Sequence, residues 1–545
     1  MRWWGWGDPD HPRVLPDHAV AFLRDEVGIA PEARPPASLD QVRVSDPALP
    51  DGARDRLAAI VGPEHVRDDL EARVVHAAGK SYPDLVRQRA GDCEHAPDAV
   101  VYPADHEQVV AVLAACSEAQ LAVVPFGGGT SVVGGVEPLR GEFPAVVTLD
   151  LRRLDRVTGV DRHSLTATLE AGLRGPQAEA QLNAQGLTLG HFPQSYEYAT
   201  IGGYLATRSA GQASTGYGRI DELVLGLRCA APAGELDFRP HPASAAGPDL
   251  RELIVGSEGT LGVITLASFD VRPAPASKRY EGWFFRDFAA GVEAFRALEQ
   301  EDAAPDVARL SDEQETRLSL ALAGREGLKA RAGTAYLRLR GYEGGCLAIL
   351  GWEGTEDDVV RRSARTEAMA RRSGGLSVGR SPGESWAAGR FAGPYLRDDL
   401  LSLGVMVETL ETATSWTNLP DLHAAVGDAL RDALGARGTP PLVMCHVSHL
   451  YPSGASLYFT FLARQEEGAE LDQWAAAKRA SGDAIVAQGA TITHHHAIGR
   501  DHLPWMQAED GPLGLAALRA VKRELDPAGI MNPGKLLPGS DPEGV

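Results

Sequence analysis

The chain is poor in cysteine, in basic residues and in long apolar runs, and each shortage closes off a class of protein. Its five cysteines, Cys93, Cys116, Cys229, Cys346 and Cys445, are odd in number, scattered and never in CxxC spacing. That excludes a disulfide framework or a cysteine zinc cage and fits a reducing compartment. Basic residues number 53 against 74 acidic, a net charge of −21. Such a surface repels phosphate polymers, so nucleic acid is excluded as a partner, although a small basic pocket could still hold a single phosphate. The longest apolar candidate, 109–126, is broken by Ser117, Glu118 and Gln120, short of the roughly 18 residues a membrane span needs. The start, "MRWWGWGDPDHPR", lacks the basic-then-apolar layout of a signal peptide. The expectation is a soluble, cytoplasmic protein. Transient contact with a membrane surface and a homodimer are left open.

Glycine is what the chain has in excess: 60 of 545 residues, where about 7% is usual. The glycines fall in short runs between apolar segments, as tight loops do. The length calls for two or three domains. Residues 1–94 read as an N-terminal helical lead-in, with pieces such as "HAVAFLRDEVG" and "PDLVRQRAG". At 95–273 the pattern sharpens. "AVVYP" is a strand, Asp105 a helix N-cap, 106–119 an amphipathic helix and "LAVVPF" a second strand. More strands follow at "AVVTLDL", "LTATLEAG", "LVLGLRCAAP" and "VITLASFDV", and "RPAPAS" reads as a linker. A second α+β block, 274–489, has strands expected at 280–285, 334–339 and 404–409. Its helices are expected near 287–299, 356–373, 420–434 and 470–488, and it contains the hairpin "PLVMCHVSHLYPSGASLYFTF". On the second run of that hairpin Leu457, Phe459 and Phe461 share one face, and Ser456, Tyr458 and Thr460 the other. Residues 490–545 hold "THHHAIG" and close the chain.

Three glycine-rich stretches lie within one block: "PFGGGTSVVGG", "YATIGGYLATRSAGQASTGYG" and "GSEGTLGVIT". Without a Cβ, glycine lets backbone N–H groups approach and cradle a phosphate. The first loop lacks the Lys of a Walker loop and the spacing of a Rossmann fingerprint. With "DPAGIMNPGK" near the end, these motifs resemble the FAD-binding domain of the vanillyl-alcohol-oxidase (PCMH-type) flavoenzymes. The likeness narrows to the alkyldihydroxyacetonephosphate synthase family on "RWWGWG", "FPQSYEYATIGG", "ARLSDEQ", "PYLRDDLL", "ETLETATSW", "CHVSHLYPSGASLYFTF" and "THHHAIG", in order along nearly the whole chain. One departure is Gln194, where an acid follows the proline in the eukaryotic pattern.

The resemblance implies an α+β fold, a PCMH-type FAD-binding domain with an α+β cap. It implies non-covalent FAD held by Pro125, Gly127, Gly128, Gly129, Thr130 and Ser131 in the first loop. Gln194, Thr200, Gly202, Gly203, Ser209 and Gly211 would serve it from the second, and Glu258, Gly259, Gly262, Val263 and Ile264 from the third. The implied reaction exchanges the acyl group of acyl-dihydroxyacetone phosphate for a fatty alcohol, through an adduct at flavin N5 and with no net redox change. The partners are then a lipid-like phosphorylated molecule and a long-chain alcohol. A flavin-dependent 2-hydroxy-acid or alcohol dehydrogenase or oxidase on the same fold is the alternative.

The resemblance also carries roles to particular residues. Tyr458 matches the family's acid/base, and a phenol with pKa about 10 needs help to give up its proton. Arg309 and Arg397 match its active-site arginines, whose forks bind phosphate bidentately, although surface ion pairs would explain them as well. His494, His495 and His496 fall by the flavin ring in the family, and imidazole titrates near neutrality. Consecutive residues point apart, so "HHH" alone makes a poor metal site. His446, His449 or His502 could complete one, but no metal is assigned.

Overall fold

The computed structural model describes residues 1–7, 15–30, 32–322 and 328–538. It is α+β throughout. The first sheet contains β1 (Val66–Arg67), β2 (Ala99–Val101), β3 (Ala122–Phe126) and β4 (Val146–Asp150), in the order β1-β2-β4-β3. β2 and β3 both run parallel to β4, and all three are buried but for Pro125, as a βαβ crossover requires. The crossover helix His106–Glu118 begins where expected, with Asp105 accepting the Gln108 N–H at 2.8 Å. β1 comes from the expected helical lead-in, so that segment supplies an antiparallel strand as well as helices.

The second sheet is antiparallel. It contains β5 (Val157–Asp161) and β6 (Thr166–Glu170), and after the short β7 (Leu187–Thr188) it takes β8 (Val224–Ala231), β9 (Gly234–Phe238) and β10 (Val263–Asp270). The expected linker is not bare: β11 (Arg272–Pro273) pairs with β7.

The cap is built on seven strands: β12 (Ser277–Phe285), β13 (Val307–Ser311), β14 (Cys346–Gly354), β15 (Leu376–Gly379), β16 (Val405–Ser415), β17 (Leu442–Tyr451) and β18 (Gly454–Arg464). Their order is β15-β12-β14-β13-β17-β18-β16. The strand expected at 334–339 is absent. Those residues belong to the helix Leu328–Arg340. Ten of its thirteen residues are Leu, Lys, Ala or Arg, which favours helix over the short alternation of "TAYLRL". The β17–β18 hairpin forms as expected, with Leu457, Phe459 and Phe461 in the cap core beside Trp283 and Phe285.

Both ends of the chain are tied in. The N–H groups of Trp6 and Gly7 donate to Asp398 at 2.9 and 2.8 Å, joining "RWWGWG" to the cap. After the helix Met506–Leu525, Met531 bridges Val123 of β3, so the C-terminal segment does return to the first sheet. Among the described residues no helix is long and apolar enough to cross a membrane.

Candidate active site

A cavity of about 600 Å³ lies where the glycine loops meet the cap sheet. Every glycine-loop residue that the resemblance singled out lines it, from Pro125 to Ile264, together with Arg309, Arg397, Tyr458, His495 and His496. His494 does not. It sits behind the other two, buried.

The glycine loops build their wall from backbone. Gly129 adopts φ +66°, a left-handed conformation that β-carbons resist. A Cβ on Gly128 would meet the Tyr198 carbonyl at 2.0 Å, so no larger residue fits. Ser131 Oγ accepts the Gly135 N–H at 2.9 Å and closes the loop. Among the described residues the N–H groups of Gly127 to Ser131 donate to no other part of the chain. A run of free N–H groups on the cavity wall suits a diphosphate. Thr200 caps the next helix through the Gly203 N–H at 3.3 Å. Glu258, itself at φ +53°, accepts the N–H groups of Ile498 at 2.8 Å and Gly499 at 2.7 Å. It thereby ties the third loop to the segment just after the histidines, and burial pushes its carboxyl up to about 7. Gln194 donates to the Arg390 carbonyl at 2.8 Å and accepts from Gln212 at 2.7 Å, so it braces the second loop against the cap. These residues fit FAD.

The opposite wall is made of side chains. Strand register aligns Glu411 on β16, Tyr458 on β18 and His446 on β17 across one sheet face. The His446 ring stacks on Tyr458 at 4.9 Å between centroids, and His496 meets Tyr458 edge-on at 5.5 Å. Burial raises the pKa of the Tyr458 hydroxyl, with Thr409 beside it working the other way. The phenol is thus a protonated donor, ringed by imidazoles but not hydrogen-bonded to them.

Glu411, which no motif in the chain singles out, anchors the histidine loop. Its carboxylate accepts N–H groups from His494, from His495 at 3.0 Å and from His496 at 2.7 Å, and the Thr493 hydroxyl at 2.6 Å. Burial works against its ionisation, yet the loop holds its pKa well below the carboxylate range. Burial pulls His495 down to about 4, so the imidazoles are neutral at pH 7. The N–H donors, rather than imidazolium charge, therefore hold Glu411 ionised.

Neither arginine is a surface ion pair. Arg309 meets His446 Nε2 at 2.9 Å and Glu315 at 2.5 Å. Burial opposes ionisation of Glu315, but Arg309 and His446 bring it down to about 2. Arg397 donates to the Lys80 carbonyl and to Glu408, each at 3.1 Å, while its neighbour Asp398 is taken by the N-terminus. Sequence reasoning also missed His191, one residue ahead of "FPQSYEYATIGG". Its Nε2 lies 2.6 Å from Ser209 Oγ, and burial draws its pKa down to about 3.

Among the described residues, His449, His494 and His495 have donor atoms within 4.8 Å of one another, as a metal site would need. The His449 nitrogens are engaged by Ser456 at 3.1 Å and the Gly211 carbonyl at 3.0 Å. Those of His494 are engaged by Tyr451 at 2.6 Å and His495 at 2.9 Å. The ring nitrogens of His449 and His494 are thus all engaged by groups of the protein.

Comparison with known proteins places this geometry. Residues 97–237 match the FAD binding domain family and 274–536 match the FAD linked oxidases, C-terminal domain. The chain is 33% identical to an alkyldihydroxyacetonephosphate synthase from Dictyostelium discoideum, over 99% of this chain and 93% of that protein. It is also 33% identical to that of Trypanosoma brucei brucei, over 100% and 93%. A solved alkyldihydroxyacetonephosphate synthase superposes with a TM-score of 0.85 at 31% identity, covering 98% of this chain and 99% of the other.

Proposed function

The chain belongs to the alkyldihydroxyacetonephosphate synthase family of FAD-binding proteins, and from that premise we propose that it exchanges the acyl group of acyl-dihydroxyacetone phosphate for a long-chain alcohol. One observation carries the reading. A single cavity joins the glycine loops to Tyr458 and its imidazoles and then to an apolar stretch that includes Leu15, Leu23, Leu318, Leu322, Leu400 and Leu462. Cofactor, reacting carbon and hydrocarbon chains all have a place in it.

The cofactor is FAD. The first loop, "PFGGGTSVVGG", offers no histidine or cysteine for a covalent bond, so the reading includes non-covalent attachment. Gly127 to Ser131 and Thr200 would hold its diphosphate. When bound, the flavin supplies the electron-rich ring at which the ester-bearing carbon can exchange substituents without net redox change. Arg309 and Arg397 grip the substrate phosphate with N–H groups left over from their carboxylate partners. The Tyr458 hydroxyl, kept protonated by burial, moves the proton at the reacting carbon. The leucines exclude water and take the two chains. Atoms balance as ester plus alcohol giving ether, carboxylate and one proton.

The four segments 1–94, 95–273, 274–489 and 490–545 are the domain division that goes with this reading. Transient membrane contact and a homodimer go with it too, and liposome flotation and light scattering test them. The activity itself is tested by supplying acyl-dihydroxyacetone phosphate and hexadecanol without an electron acceptor and following products by mass spectrometry. Ether product and free fatty acid in equal amounts are expected. Flavin bleaching by a 2-hydroxy acid alone, with no ether formed, would support the dehydrogenase instead.

A further inference from the structure

The exchange just described releases one proton per turnover inside a largely apolar cavity, because the departing fatty acid is ionised at neutral pH. That proton must reach water. The inference here rests on that reading of the reaction, and it concerns the buried histidine that does not line the cavity.

His495 lines the cavity, and its Nδ1 lies 2.9 Å from Nδ1 of His494. The other nitrogen of His494, Nε2, lies 2.6 Å from the hydroxyl of Tyr451. Tyr451 ends β17 beside the exposed turn residues Pro452 and Ser453, and it is itself only partly buried. The Arg219 guanidinium lies beside the phenol and opposes the upward push of burial on its pKa. A continuous hydrogen-bonded chain therefore runs from the cavity through His495 and His494 to Tyr451, a residue next to the exposed turn.

We propose that His495, His494 and Tyr451 form a proton wire that carries the released proton from the cavity to solvent. A neutral imidazole has one donor and one acceptor nitrogen, so the chain is fully satisfied in either of two polarities. In one, His495 Nδ1–H donates to His494 Nδ1, His494 Nε2–H donates to the Tyr451 oxygen, and Tyr451 O–H points outward. A proton arriving at the free Nε2 of His495 sends the Nδ1 proton to His494. His494 passes its Nε2 proton to Tyr451, and Tyr451 releases its own to water. The chain is left in the opposite polarity, with Tyr451 O–H donating to His494 and His494 Nδ1–H donating to His495. No charge is stored and no atom is lost. Rotation of the rings and the hydroxyl, or return of a proton, resets it.

Glu411 fits the scheme as the fixed element. It grips the backbone of all three histidines, which keeps the rings in register while their protons shift. Arg219 can only donate, so it blocks neither direction. His449, tilted against His494 at 4.9 Å, is bonded to Ser456 and Gly211 and lies off the path.

The test uses the FAD-loaded enzyme and two readouts. In protein labelled with ¹⁵N-histidine, the ring N–H shared by His494 and His495 is followed by NMR after transfer to D₂O. Tyr451→Phe keeps the ring and removes the hydroxyl, and it should slow that exchange at least about tenfold while flavin content stays at wild type. In turnover the same variant should lose roughly tenfold, less than the ~10²–10⁴ expected for a direct acid/base. Added imidazole buffer should restore much of that rate, and Tyr451→His, which can relay a proton, should behave near wild type. A purely structural role for Tyr451 predicts no imidazole rescue and no advantage of His over Phe. Unchanged ring-proton exchange in Tyr451→Phe overturns the wire outright. If the wild type makes no ether product, the reading of the reaction fails, and the exchange measurement still decides whether the wire exists.

Discussion

The two walls of the cavity are made of different material. The cofactor wall is backbone: glycine loops with free N–H groups, held by short side-chain braces such as Ser131 and Thr200. The cap wall is side chain: a tyrosine among imidazoles, two arginines paired with carboxylates, and one buried glutamate under the whole loop. A backbone wall has no protons to move, which suits a cofactor that must be held unchanged. A wall of buried titratable groups is costly to assemble, and that cost is worth meeting only where protons and charges shift.

If this contrast is right, the largest losses of rate come from the cap wall. Tyr458→Phe should fold, bind FAD normally and turn over about 10²–10⁴-fold more slowly, measured with flavin content on the same sample. Wild-type turnover would show that the cap wall is not where the proton moves.

Next comes Glu411→Ala, which leaves three loop N–H groups and the Thr493 hydroxyl without their acceptor. Each buried group left unsatisfied costs about 1–3 kcal/mol, so denaturant unfolding should show a loss of roughly 3 kcal/mol or more, along with turnover. An unaltered midpoint would mean that water replaces the carboxylate and that the loop does not depend on it.

Arg309→Ala and Arg397→Ala each remove a charge-assisted bond to the substrate phosphate, and affinity for phosphorylated substrate should fall by roughly 1.5–3 kcal/mol. Titration of both variants with acyl-dihydroxyacetone phosphate checks this. Unchanged affinity in both would remove the arginines from the substrate site.

The smallest effect sharpens the boundary between the walls. Burial holds His191, on the cofactor side, neutral down to about pH 3. The unfolded chain takes up that proton below about pH 6.5. The folded pKa is therefore depressed, so its contribution is fully present above 6.5 and is lost as pH falls towards 3. His191→Gln should make the decline of stability with acid shallower by about 1.4 kcal/mol per pH unit in that window. Identical slopes for variant and wild type would show that His191 is solvated.

Much of the cofactor wall was legible in the chain, because glycine's freedom is local: "PFGGGTS" after a strand already says that backbone will turn and expose its N–H groups. The Tyr458 face was legible too, since side chains alternate along a strand. The helix Leu328–Arg340 was misread because six alternating residues weigh less than the helix formers around them. His449 shows the limit of alternation. A register shift between Val447 and His449 sets His449 opposite Ser456, on the Tyr458 face, instead of in the core with Leu457.

By itself, then, the sequence determined the parts whose conformation depends on near neighbours: the glycine loops, the β17–β18 hairpin with its two faces, and the helix caps. Only the tertiary structure decided which groups converge. Glu411 lies more than eighty residues before the histidines it anchors, Arg397 pairs with Glu408 rather than with the aspartates beside it, and His494 turns away from the cavity to meet Tyr451. Those meetings depend on strand order and on the packing of distant elements, and no local pattern in the chain records either.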